Sequence, residues 1–439
     1  MTQVQPSENA TNGHRWSHSH LISRVPYYLP SHPRVDLSGI LVPTNRRLGV
    51  SSGMALAIRL AEAKGAQLLV VRSGEASRQP FPQAMAPRTG VATAVLDLPA
   101  GAERILPRFP SNEHVVATLH RNNDLGLKRN IGLLIGRMCG WSSMIFLDDD
   151  IRTTPASAGP VGPGATRSDR RFRLGDVLAE FENSPDVQAA GYFQCDFDDN
   201  SVVCHARRLV GRPQETFISG GALVVRCPGP LPMFSSAYNE DWLFFLHLML
   251  NGRHTCPSSA VKYVGTVHQD EYYPFTVPRA ESEELGDLLA EGLFNLVGER
   301  REDLLATASS PGYWQQAIDS RCQMITELLG DLYRPQIGTG AVVIDARRAL
   351  HAALNVYSRS MIDTAASLAE FFTTFLCDLD DWAALLASVT PASEADVLTL
   401  DQALAVLGLS QHVTWCGTQR REPTAVIPRP RVVPTPQSA

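Results

Sequence analysis

Between residues 38 and 147 short apolar runs alternate with stretches of helical spacing, and this alternation restricts the fold more than any other feature of the chain. The runs are "SGILVPTN" (38–45), "AQLLVVRSG" (66–74), "HVVATLHR" (114–121) and "SSMIFL" (142–147). Between them lie "SSGMALAIRLAEAKG" (51–65), with a Ser start and a Gly stop, and "GLKRNIGLLIGRMCG" (126–140). Apolar strands joined through helices predict a mostly parallel sheet flanked by helices, an α/β class. Such sheets take ligands beyond the carboxyl ends of their strands. Further strand-like segments follow at 187–199, 215–226 and 260–269, with a helix from about Asn239 to Asn251.

The texture changes near Arg279. "ESEELGDLLAEGLFNLVGER", "YWQQAIDSRCQMITELLGDLY" and "ARRALHAALNVYSRSMIDTAASLAEFFTTFL" all have helical periodicity. The expected organisation is an unstructured lead-in over 1–33, an α/β domain over 34–278, a helical C-terminal region over 279–415 and a Pro-rich disordered tail over 416–439. The stretch 152–173 is rich in Gly, Pro, Ser and Arg, and its length fits a lid or a disordered loop. His14, His18 and His20 in the lead-in read as solvated rather than metal-binding.

With 439 residues, 44% hydrophobic and 19% charged, the chain has the composition of a globular protein. A net charge of −6 gives no electrostatic case for nucleic acid. No apolar leader and no run of membrane-spanning length is visible. The 8 cysteines include no C-x-x-C pair, so they read as reduced thiols and the expected location is the cytoplasm.

The chemistry concentrates where "SSMIFL" meets Asp148, Asp149 and Asp150. Three adjacent carboxylates at a strand end fit a hard divalent cation, Mn²⁺ or Mg²⁺, whose remaining positions go to substrate phosphates; an acidic turn or a helix cap is the structural alternative. Side chains alternate faces along a strand, so Asp148 and Asp150 point one way and Asp149 the other. Upstream, Lys128 and Arg129 could hold a diphosphate, or form a solvated face. Downstream, Gly220 and Gly221 in "FISGGALVVR" allow close approach of a ligand to backbone, or mark a bulge. Glu240 and Asp241 in "NEDW" open an apolar helix, where acids also stabilise the helix dipole. His268 in "YVGTVHQDE" closes a strand and could complete a metal site. A second D-x-D, Asp196 and Asp198 with Asp199, competes with the first from "QCDFDDN".

In this order the features resemble the nucleotide-sugar-dependent glycosyltransferases of the GT-A fold, especially the inverting kind, over roughly residues 36–270. "VPTNRR", an Arg-Asn pair (Arg129, Asn130), "FLDDD", "SGGALVVR" and "NEDW" carry the resemblance. It implies that Asp150 and His268 hold the metal and that Asp148 contacts the ribose and the metal shell. It implies nucleotide contacts from Pro43, Thr44, Asn45, Arg46, Lys128, Arg129, Asn130 and Asp149. Gly220, Gly221 and Glu240 would orient the donor sugar, and Asp241 would be the base on the acceptor hydroxyl. In the family an Asp-containing turn after the second strand holds the nucleotide base; here "VVRSGEAS" offers Glu75 instead. The acceptor, whether small molecule, lipid head group or protein, is not specified. The helices after Arg279 would complete the acceptor pocket, form a homodimer interface or dock a protein. Two rival readings share the fold: a sugar nucleotidyltransferase, for which "VPTNRRLGVSSG" lacks a dense Gly pattern, and a non-catalytic carbohydrate-binding protein, which would have lost the D-x-D or the base.

Overall fold

A computed structural model describes residues 18–28, 34–46, 51–81, 93–112, 124–153, 172–195, 201–212, 217–251, 260–270, 273–297, 299–358 and 361–416. The strands are β1 (Ser23–Arg24), β2 (Gly39–Thr44), β3 (Gln67–Arg72), β4 (Thr93–Asp97), β5 (Ser143–Leu147), β6 (Ile151–Arg152), β7 (Ala189–Cys195), β8 (Ile218–Arg226), β9 (Val261–Gln269) and β10 (Val413–Cys416). They form one sheet in the order β1-β9-β7-β8-β5-β2-β3-β4-β10, with β6 added on β9. The pairs β4–β3–β2–β5 and β7–β9–β1 are parallel; β8 runs antiparallel between β5 and β7.

The apolar runs are buried on both sides of this sheet, because helices cover both faces. Alternation along the strands sends Leu41, Leu69 and Phe146 into one core and Ile40, Val42, Leu68, Ile145 and Leu147 into the other. Helix α1 (Ser52–Lys64) covers the second face, and α3 (Leu125–Met138) the first; the short α2 (Gly74–Ser77) follows β3. Helix α1 starts and stops as its sequence predicts. The Ser51 hydroxyl accepts the Met54 N–H, and Gly65 ends it with a left-handed φ of 66°. Helix α4 (Leu174–Asn183) packs on the α1 side, while α5 (Val202–Leu209) and α6 (Glu240–Asn251) pack on the α3 side.

The C-terminal region is helical, as expected: α7 (Val277–Asn295), α8 (Arg301–Ala308), α9 (Pro311–Leu332), α10 (Ala341–Ser358), α11 (Met361–Val389) and α12 (Leu400–Val406). Its apolar faces extend the α3-side core through residues such as Trp314, Phe371, Phe375 and Trp382. Each large side chain buried this way contributes about 2 kcal/mol. The region is pinned to the sheet domain by polar bonds as well, from Trp382 Nε1 to the Leu231 carbonyl (2.8 Å) and from the Ser111 N–H to Asp378 Oδ2 (2.9 Å). An α/β architecture, a sheet with a parallel central part flanked by helices and a helical C-terminal region, is therefore the observed one.

Three expectations need correction. The lead-in is not wholly unstructured: β1 pairs with β9, and His18 is buried against Trp242 and Phe294 rather than solvated. The third parallel strand is β4, in a stretch that was not among the expected strands; the "HVVATLHR" segment lies outside the described residues. The C-terminal region does not end in helix, because β10 returns to pair antiparallel with β4. His14, the second D-x-D (196–199) and most of the 152–173 loop also lie outside the described residues. Among the described residues, no helix is long and apolar enough to cross a membrane.

Candidate active site

Strand β5 ends at Leu147, and the three aspartates form a turn closed by the Ile151 N–H on the Asp148 carbonyl (3.2 Å). Strand alternation stops there, so the expected split of Asp148 and Asp150 from Asp149 does not occur. Asp149 and Asp150 instead share Arg46, and Asp148 turns the other way, to Arg129. Arg46 Nη2 donates to Asp150 Oδ2 at 2.7 Å, and its Nε stands 4.0 Å from Asp149 Oδ1. Asp149 also accepts the Thr44 hydroxyl at 2.5 Å. Burial pushes the Asp149 carboxyl above its ordinary range, and the neighbouring Asp148 adds to this, against the pull of Thr44 and Arg46.

Arg129 is the hub of the site. It is fully buried on α3; Nη1 donates to Glu240 Oε1 (2.9 Å) and Nη2 to both oxygens of Asp148 (3.1 and 3.2 Å). Burial alone would lower its pKa, but Asp148 and Glu240 outweigh it and hold the guanidinium charged. Strand β8 passes directly over this group. A Cβ on Gly220 would stand 2.6 Å from Arg129 Nη1, and one on Gly221 would stand 3.0 Å from Asp148 Oδ2. The Gly-Gly pair thus lets backbone approach the hub, and the Gly220 N–H donates to Asp241 Oδ2 at 2.6 Å. Asp241 Oδ1 accepts its neighbour's Trp242 N–H at 2.9 Å. Four motifs far apart in sequence, "KRN", "DDD", "SGG" and "ED", meet at one guanidinium beyond the end of β5.

Other expected residues take different parts. Lys128 is buried on α3 and donates to the Thr44 carbonyl (3.0 Å) and Ser73 (2.7 Å), with Asp124 at 2.8 Å; burial lowers its pKa. It ties the ends of β2 and β3 together rather than facing the cleft as a diphosphate ligand. Asn130 ties α3 to the segment before α6: its amide exchanges two 2.8 Å bonds with the backbone of Phe234. Pro43 is buried within β2. Asn45 and Glu75 are exposed beside each other at the β2 and β3 ends, where the nearest heavy atom to a Cβ on Gly74 would be the Asn45 carbonyl oxygen.

His268 stands one residue before the end of β9, opposite Arg152 of β6. The next residue, Gln269, reaches Asp150, with Nε2 3.3 Å from Oδ2, and successive strand residues face opposite sides. Among the described residues, no three His, Cys, Asp or Glu side chains form a group able to hold a metal ion. What is present suits a cation that brings ligands of its own. The donors are hard oxygens, and the Gln269 Oε1 beside Asp150 is buried without a hydrogen bond. Mg²⁺ and Mn²⁺ commonly take one or two carboxylates from protein and the rest from substrate phosphate and water.

Two amides had no motif to reveal them. Besides Gln269, Gln194 on β7 lies in the cleft: its Nε2 donates to Ser219 at 2.7 Å and would stand 3.1 Å from a Gly221 Cβ. Its Oε1 is also buried without a partner. Neutral amides at strand ends carry no charge or spacing signal, so only their shared position at the ends of β7 and β9 could have flagged them.

Structural comparison finds the glucosyl-3-phosphoglycerate synthase from Mycobacterium tuberculosis in complex with Mn²⁺, uridine diphosphate and phosphoglyceric acid. It is 13% identical, covers 62% of this chain and 87% of its own, and gives a TM-score of 0.38. A second structure of the M. tuberculosis glucosyl-3-phosphoglycerate synthase is 13% identical, covers 58% and 81% respectively, and gives a TM-score of 0.34. The ligands named in the first complex are that protein's. No family model matches the chain, and no curated protein does.

Proposed function

We propose that the chain is a glycosyltransferase that moves a sugar from a nucleoside diphosphate sugar to an acceptor hydroxyl with inversion at the anomeric carbon. The observation that carries this is the convergence on Arg129, which bonds Asp148 and Glu240 while Asp241 is held by the Gly220 N–H. Support comes from Glu240, Asp241 and the acidic turn lying around one guanidinium, the residues to which the sequence resemblance gives the donor, base and metal roles.

In this reading Asp241 takes the proton of the acceptor hydroxyl. The acceptor oxygen bonds to the anomeric carbon, the bond from that carbon to the diphosphate breaks, and its electron pair leaves with the nucleoside diphosphate. Two backbone N–H groups, of Gly220 and Trp242, fix the Asp241 carboxylate, one on each oxygen. Arg129 is too enclosed to meet substrate; its bonds orient Asp148 and Glu240. Arg46, half-exposed, is the cation free to turn toward a leaving diphosphate. The unpartnered oxygens of Gln194 and Gln269 are acceptors for sugar hydroxyls or for the metal shell. Asp150 and Gln269 would hold a divalent cation whose other positions go to substrate phosphate and water, and it would supply positive charge for the leaving group.

The test is incubation with a panel of sugar nucleotides and Mn²⁺, followed by detection of free nucleoside diphosphate and NMR of the product anomer. Asp241→Asn should slow release by about 10² while nucleotide binding is retained. Release of pyrophosphate instead would favour a nucleotidyltransferase, and no release a binding protein. Retention of configuration would remove Asp241 from the base role.

A further inference from the structure

Asn239 has a φ of +64°, the one positive φ outside glycine among the described residues, and it immediately precedes Glu240 and Asp241. Asn tolerates this left-handed conformation better than most residues, but it is still held there by something. Its carbonyl accepts the Leu243 N–H (3.1 Å), the first hydrogen bond of α6. Its side chain leaves α6 altogether: Nδ2 donates to Asp287 Oδ1 on α7 at 2.9 Å.

Asp287 is itself fixed. Its Oδ2 accepts Arg321 Nη2 from α9 at 3.1 Å, and Arg321 is fully buried. The same guanidinium bonds Glu284 (2.7 and 3.2 Å) and Glu291 (3.0 Å to each oxygen). Glu284 also accepts the Tyr357 hydroxyl of α10 at 2.7 Å. Three helices of the C-terminal region thus meet in the cluster around Arg321, which holds the carboxylate that grips Asn239.

Two further contacts place α7 against the same turn. Gly286 lies so close to Tyr238 that a Cβ there would stand 2.5 Å from the Tyr238 Cβ and 2.8 Å from its carbonyl oxygen. Phe294 packs on Trp242 with ring centroids 5.2 Å apart. Helix α7 therefore touches residues 238, 239 and 242, on both sides of the acid pair. The direction in which Glu240 and Asp241 leave the helix start is set by this clasp, because one shift of φ at residue 239 would swing both carboxylates.

We propose that Asp287, seated on Arg321, is a positioning residue: through Asn239 it aims Glu240 at Arg129 and Asp241 at the Gly220 N–H, so that the C-terminal helices align the acid pair of the sheet domain. The catalytic meaning of that alignment rests on the glycosyltransferase reading; the alignment itself does not.

The test is a reciprocal swap with two readouts. Asn239→Asp sets two carboxylates face to face and breaks the clasp. The double variant Asn239→Asp with Asp287→Asn restores it in reverse, with the new amide donating to residue 239 and accepting from Arg321. Hydrogen exchange at the Gly220 amide reports where Asp241 sits, whatever the reaction. Asn239→Asp should speed that exchange about tenfold while the β5 amides keep theirs, and the double variant should bring it back close to the parent. Nucleoside diphosphate release from sugar nucleotides with Mn²⁺ should fall and recover in parallel, chiefly in kcat. If Asn239→Asp does not fold, Asn239→Gly cuts the side-chain link while keeping the left-handed φ accessible, and is read the same way. Unchanged Gly220 exchange in these variants, or a double variant no better than the single, overturns the proposal. A parent protein that releases no nucleoside diphosphate overturns the glycosyltransferase reading alone, and the exchange data still decide the clasp.

Discussion

Arg46 Nη2 lies 2.7 Å from Asp150 Oδ2, so a half-exposed cation of the chain already sits on the most buried carboxylate of the acidic turn. Arg46 and a metal are competitors for one oxygen. Arg46→Ala should therefore tighten Mn²⁺ binding in the absence of nucleotide. The pair is half-exposed on the Arg46 side, which limits its worth to about 1 kcal/mol, a factor of about five in Kd. Calorimetric titration with Mn²⁺ checks this. Asp150→Asn should weaken binding in the same assay, and equal affinities in all three proteins would show that the cation does not use Asp150.

Arg129 should be costly to remove for a different reason. Arg129→Met leaves Asp148 and Glu240 in place with no cation between them. An uncompensated buried charge of this kind costs about 3–5 kcal/mol. Arg129→Lys should recover only part, since an ammonium cannot make the forked contacts to both partners. Urea unfolding midpoints of the three proteins give the comparison.

Gly220→Ala should damage activity more than the fold. The added methyl would meet Arg129 Nη1 at 2.6 Å and Asp241 Cβ at 3.0 Å, pushing two site residues apart. Overpacking of this sort costs about 1–3 kcal/mol. Gly221→Ala is the milder control, with side-chain atoms of Asp148 and Gln194 at 3.0 and 3.1 Å. The expected order of lost nucleoside diphosphate release is Gly220→Ala over Gly221→Ala, with a small change in thermal midpoint for either.

Asp287 should leave a signature in the pH dependence of stability. Burial raises its pKa from 3.8 to about 6, with Glu291 and Glu284 adding to the rise and Arg321 opposing it. Between those two values the folded protein keeps a proton that the unfolded chain has released. Stability from this group is thus full below about pH 4 and declines as pH rises through about 6, by on the order of 2–3 kcal/mol. Asp287→Asn should flatten that part of the curve. Denaturant titrations at pH 4, 5, 6 and 7 test the sign as well as the size.

The sheet was legible because its strands are apolar throughout: Leu41 and Ile40 face different cores, so neither face needed a polar residue. Strand β4 was missed because "TAVLD" follows a Pro-rich stretch that masks its start. Within the site, the resemblance pointed to Arg129, Asp148, Gly220, Glu240 and Asp241, and the fold brings these together, with Arg129 as the buried partner of two acids rather than the diphosphate ligand expected. The residues that took other parts share a cause. Lys128 and Asn130 are flanked in sequence by the hub, but a helix turns about 100° per residue, so neighbours on α3 face different surroundings. His268 and Gln269 show the same effect on a strand, where one residue separates opposite faces. The Asn239–Asp287–Arg321 chain joins residues with no local pattern at all, and only the packing of α7 discloses it.

Strand β10 has a consequence for how the molecule is made. It seals the β4 edge of the sheet with residues drawn from the far end of the described chain. During synthesis that edge, with its unpaired N–H and C=O groups, stays open until the whole helical region has emerged. An incomplete chain would therefore carry a ready template for pairing with its neighbours, and shortened versions ending before Val413 should aggregate rather than yield an isolated sheet domain. The helical region and the sheet are in this sense one folding unit, closed by a four-residue clasp at its last described strand.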